Sequence, residues 1–141
     1  YWDGGYSGNP LLYPLIYQTG NSDVLLVQLN PIEYDEVPSN AQEIMDRINE
    51  ITFNASLLAE LRAMGFVRRL LEEGKLDSER YKYMLMHHVD GGKVLKAYGA
   101  SSKNRSDMAF VRELMEKGRE SGLAWLKRHR ADVGVRSGFK V

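Results

Sequence analysis

Two rhythms of apolar residues run along the chain. "SDVLLVQLNP" is almost continuously apolar and bounded by turn residues, which predicts a strand buried on both faces, as in a parallel sheet. A helical rhythm follows. Ser39 and Gln42 have capping-box spacing, Ile44, Ile48, Ile51, Ala55 and Leu58 recur at helical intervals, and Gly74 is a stop signal. About 35 residues in one helix would measure about 50 Å, which leaves room for a break near Gly65. "YKYMLMHHVD" reads as a second strand and "GGKVLKAYGASSKN" as a loop or short partner strand. A last helix starts at Ser106 or Asp107, with Met108, Val111, Met115, Gly118, Gly122 and Leu126 on one face. Before the first strand, Asn9 can cap a helix that has Pro10 at its first position and that Pro14 limits to a turn or two. The tail "ADVGVRSGFKV" reads as irregular.

Strand, long helix, strand, helix is an α/β order with a parallel sheet. Two strands cannot form a sheet covered on both faces, so the remaining strands are expected from elsewhere. The chain also begins with Tyr1, and a glycine-rich motif sits at its edge. Together these point to a piece of a longer protein.

Composition narrows the classes. Of 141 residues, 43% are hydrophobic and 27% charged, as in a globular protein. The 19 basic and 19 acidic residues balance, so charge offers no hint of a nucleic-acid partner. The chain has no cysteine, which removes disulfides, thiolate zinc sites and a cysteine nucleophile, and agrees with an intracellular home. The apolar runs are too short to span a bilayer.

The candidate chemistry lies in "YWDGGYSGNP". Ser7 is not in a nucleophile elbow: the final glycine of G-x-S-x-G is absent and Pro10 follows too soon. Asp3 precedes Gly4 and Gly5, which permit unusual backbone conformations and close approach of a neighbouring chain. Three letters alone fit a simple turn better.

The wider string carries more. "YWDGGYSGNPLLYPLI", "SDVLLVQLNPIE" and "SNAQEIMDRINEITFNASLLAELR", with "HHVD" and "GASSKN" further on, resemble the C-terminal part of bacterial patatin-like phospholipases, in the patatin group of lipid acyl hydrolases. The resemblance implies a three-layer α/β/α sandwich, of which this chain would supply an incomplete parallel sheet and long flanking helices. Residues 1–38 would hold the catalytic-Asp loop and buried strand, and residues 39–141 a helical region with a further strand. It also implies a Ser–Asp dyad, with Asp3 as the aspartate and Gly4 and Gly5 as its motif glycines. The nucleophile and the oxyanion-hole loop lie upstream in the family and are not in this sequence. The implied reaction is hydrolysis of a lipid ester without cofactor, Asp3 accepting the serine proton. An aspartate needs a partly apolar setting to be an effective base, and Tyr1 and Trp2 could form that wall.

Other constellations read as structural. Asp90-Gly91-Gly92 suits a hairpin turn. His87 and His88 are adjacent, so on a strand they face opposite sides, and one metal ion could hardly take both. His87 or His88 as a triad histidine is the remaining catalytic option, against which the family resemblance argues. His129 sits in a charged helix end. Asn54-Ala55-Ser56 and Asn104-Arg105-Ser106 are chance matches to the glycosylation sequon. The basic end with Trp125 reads as a solvated helix terminus, with an anionic membrane surface as the alternative. The expected location is cytoplasmic or at the membrane periphery. The competing reading of the whole chain is a non-catalytic helical module that binds a protein or a membrane.

Overall fold

The computed structural model describes the chain apart from Trp2, Tyr34, Ala97, Gly99, Ala100, Ser101, Lys103, Lys140 and Val141. Its helices are α1 (Tyr13–Gln18), α2 (Ala41–Glu72), α3 (Gly92–Leu95) and α4 (Met108–His129), and its strands are β1 (Asp23–Gln28) and β2 (Leu85–Asp90). The strands pair in parallel, Asp23 opposite Leu85 through Gln28 opposite Asp90, with α2 as the crossover between them. The protein is therefore mixed α/β, with a two-stranded parallel sheet and long helices.

One face of the sheet makes the core. Val24 and Leu26 of β1 and Met86 of β2 pack with Met84, Leu12 and, from α2, Leu57, Leu61 and Met64. β1 alternates rather than being buried on both faces: Leu25 and Val27 point outward and are exposed. A two-stranded sheet explains this difference, because the layer over the second face reaches His87 of β2 but leaves β1 open.

The helix α2 runs unbroken through Gly65 for 32 residues, about 48 Å. Its cap lies one residue later than the Ser39/Gln42 spacing suggests. The Asn40 side chain accepts from Glu43 N, and the Glu43 carboxylate accepts from Ser39 N and Ser39 Oγ. At the other end Gly74 is left-handed at φ 66°, Lys75 N donates to Leu70 O and Gly74 N to Leu71 O. This is the expected glycine stop.

The buried stripe of α2 is Asn54, Leu57, Leu61 and Met64. Ile44, Ile48 and Ile51, which mark the helical rhythm in the sequence, are about half exposed. In α4 the same holds: Phe110 and Trp125 are buried, while Met108, Val111, Met115 and Leu126 face outward. Asp107, one of the two anticipated starts, caps α4 by accepting from Phe110 N at 2.9 Å.

Helix α1 starts at Tyr13, with Pro14 in its first turn, not at Pro10. Its cap comes from α2 rather than Asn9: Glu60 Oε2 accepts from Leu12 N at 2.6 Å and Tyr13 N at 2.8 Å. Lys82 closes the other end by donating to Ile16 O and Thr19 O. Asp90-Gly91-Gly92 is not a hairpin; it carries β2 directly into α3. Gly91 N donates to Gln28 O, and a Cβ on Gly91 would stand 3.0 Å from that oxygen, so the close approach of strand and turn favours glycine there.

The tail straps the outer edge of β2. Met86 N donates to Ser137 Oγ, and Phe139 N donates to Met86 O. No helix among the described residues is long and apolar enough to cross a membrane.

Candidate functional site

Asp3 leads into a short 3-10 turn, Gly4–Tyr6, and its side chain caps that turn: Oδ1 accepts from Gly5 N at 2.7 Å. The bond fixes the carboxylate against its own backbone. Among the described residues Oδ2 accepts no hydrogen bond, and Asp3 is exposed. The two glycines differ. A Cβ on Gly5 would meet Asp3 Oδ1 at 3.1 Å and Phe53 Cε1 at 3.5 Å, whereas one on Gly4 would meet nothing within 4 Å. Gly5 is thus the tight position and Gly4 the open flank.

The turn is tied to the middle of α2. Phe53 lies beside Gly5, and Asn9 N donates to Ser56 Oγ at 3.1 Å. The same helical turn carries Asn54, whose Oδ1 accepts from Gln28 Nε2 at 3.4 Å and whose Nδ2 donates to Pro31 O at 2.8 Å. Gln28 closes the carboxyl end of β1. Asp3 therefore sits beside the helical turn that spans the carboxyl end of the strand, where open α/β sheets hold their sites. Asn54 is 6% exposed, so the first sequon match is a buried structural amide.

Tyr1, expected in an apolar wall beside Asp3, is fully exposed, and Trp2 lies outside the described residues. No described residue places a serine hydroxyl in a hydrogen bond with Asp3, and Ser7 ends the 3-10 turn with its backbone N bonded to Gly4 O.

The histidines do face opposite sides. His88 joins the α2 side, where Nε2 lies 2.9 Å from Gln28 Oε1. Burial holds His88 below the ordinary imidazole pKa, with Asp90 pulling weakly the other way. His87 points to the α4 side and is 1% exposed. Its ring stands edge-on to Trp125, with centroids 6.0 Å apart. Trp125 is 9% exposed and packs against this ring.

Sequence reasoning missed the partner of His87. His87 Nε2 lies 2.7 Å from Asp23 Oδ1, which also accepts from Gly134 N at 2.8 Å. The Gly134 and His87 bonds hold Asp23 below the ordinary carboxylate pKa, so the carboxylate is ionised and Nε2 is the donor. His87 Nδ1 is left buried without a hydrogen-bond partner. Nearby, Asp132 accepts from Arg136 Nε at 2.6 Å and stands 3.2 Å from His129 Nδ1. His129 and Arg136 hold its pKa low as well. These pairs fasten the tail and the end of α4. Among the described residues no group of three or more histidines and carboxylates could hold a metal ion.

The Asp23 clamp makes a stability prediction. Asp23→Ala leaves buried His87 with neither nitrogen paired, and is expected to cost about 1–3 kcal/mol in a urea melt at neutral pH. Because the folded pKa of Asp23 is depressed, the clamp is fully present above about 3.8 and is lost as pH falls through the folded value. The gap between wild type and variant should therefore narrow in melts run in acid.

No family model, curated protein or solved structure matches the chain.

Proposed function

We propose that the chain carries the carboxylate half of a Ser–Asp acyl hydrolase acting on lipid esters, a patatin-like reading. The observation that carries it is the Asp3 turn. One carboxylate oxygen is anchored by Gly5 N, the other is unbonded among the described residues, and the Gly4 flank is open to an approaching chain. Its position beside the carboxyl end of β1 supports the same reading. In the mechanism, Asp3 takes the proton of a serine hydroxyl supplied from outside these residues. The serine oxygen attacks the ester carbonyl while backbone N–H groups hold the oxyanion, and the intermediate collapses to an acyl-serine as the alcohol leaves with the proton returned by Asp3. Water, giving its proton to Asp3, then attacks the acyl-serine, the acid departs, and the proton returns to the serine oxygen. The three-layer sandwich belongs to this proposal: the outward Leu25 and Val27 of β1 would be covered by further layers of the parent fold.

The test is a fluorophosphonate label on the full-length protein, followed by peptide mapping. Labelling of a serine outside residues 1–141, with turnover of a short-chain ester, is the expected result. Labelling at Ser7 would show a different nucleophile, and no labelled serine would remove the reading.

The exposed stripes Ile44, Met45, Ile48 and Ile51 on α2 and Met108, Val111 and Met115 on α4 favour a second reading. In it the chain is a non-catalytic helical module that docks on a partner, and Asp3 is a turn residue.

A further inference from the structure

A groove of about 340 Å³ lies away from Asp3, between α1, α2 and the segment entering β2. Two thioethers line it, Met64 at 9% exposure and Met84 at 7%. Tyr13, Tyr17 and Tyr81 line it too and are exposed. Three charged residues line it, and two of them are already used. Glu60 accepts the first N–H groups of α1, and Lys82 donates to the carbonyls at its end. These two opposite charges offset each other. The third, Arg80, makes no side-chain hydrogen bond or ion pair among the described residues and is exposed at the groove.

This is a specific combination. Methionine sulfur and tyrosine rings both make favourable contacts with an aromatic face or edge. A guanidinium without a partner offers a planar, two-pronged donor to a carboxylate. The volume lies at the small end for ligand pockets. We propose that the groove binds a small planar aromatic carboxylate, its ring between the tyrosines and methionines and its carboxylate on Arg80. The proposal stands apart from the acyl-hydrolase reading, since it uses neither Asp3 nor a serine.

Titration of the full-length protein with 2-naphthoate, followed by calorimetry, tests it. Saturable one-to-one binding is expected. The uncharged 2-naphthalenemethanol and the aliphatic decanoate should each bind more weakly. Arg80→Gln lies on the exposed rim and should weaken 2-naphthoate about tenfold, the loss of one charge-assisted contact. Ala63→Trp, on the exposed side of α2 at the groove, should abolish binding while circular dichroism reports unchanged helix. Absence of saturable binding overturns the site. Equal binding of the alcohol, or an unaffected Arg80→Gln, overturns the role of Arg80. Tighter binding of decanoate overturns the aromatic class. None of these outcomes depends on whether the protein turns over an ester.

Discussion

Asp3→Asn in the full-length protein is expected to lower ester turnover by about 10³- to 10⁴-fold, the upper part of the range for loss of a general base. The substitution is a clean one. An asparagine oxygen can still accept from Gly5 N, so the 3-10 turn keeps its cap while the proton acceptor is lost. The loss should fall in kcat with KM little changed, because Asp3 is assigned to proton transfer and not to substrate binding. Gly5→Ala should act in the same direction by a smaller amount, since the new methyl would crowd Asp3 Oδ1 at 3.1 Å. Turnover that survives Asp3→Asn would remove the hydrolase assignment and leave the docking module.

The second large effect is on stability. Leu57 is 1% exposed in the cluster that joins α2 to the sheet. Leu57→Ala is expected to cost about 2–5 kcal/mol, from lost transfer energy and an incompletely closed cavity. A domain with about 5–15 kcal/mol in hand would lose a large share of it. Ile48→Ala, on the stripe read from helical spacing, should shift the urea midpoint far less, because Ile48 is half exposed. Equal shifts for the two variants would mean that the first half of α2 is covered in solution.

That contrast shows what the sequence made legible. The strands, the long crossover helix, its glycine stop and the Asp107 cap followed from apolar runs and end signals, which act locally. The inward face did not. Helix α2 carries apolar residues on more than one stripe, and periodicity reports that a stripe exists without reporting what lies against it. Which stripe lies against the strands decides the outcome: Leu57, Leu61 and Met64 are covered, while Ile44, Ile48 and Ile51, on another stripe of the helix, are not. The Asp23–His87 pair was hidden for a related reason. The two residues are 64 positions apart and meet because the parallel register sets Asp23 opposite Leu85, which places His87 on the same face of the sheet. Asp3 and its glycines were legible as a motif, and the Gly5 anchor follows from the short side chain of aspartate at a turn. The reach of Glu60 to α1 is tertiary and left no local trace.

The one-sided seating of α2 gives the helix two unequal halves. Residues 41–53 include no buried side chain, while all four buried ones lie between Asn54 and Met64. The leading half has no buried anchor; its described ties include the Asn40 cap, the Arg47–Glu50 ion pair along its own axis and, at its inner end, Phe53 beside Gly5. Fraying should therefore travel inward from residue 41 and halt where Asn54 grips Gln28 and Pro31, with deuterium entering those first turns well before it reaches Leu57.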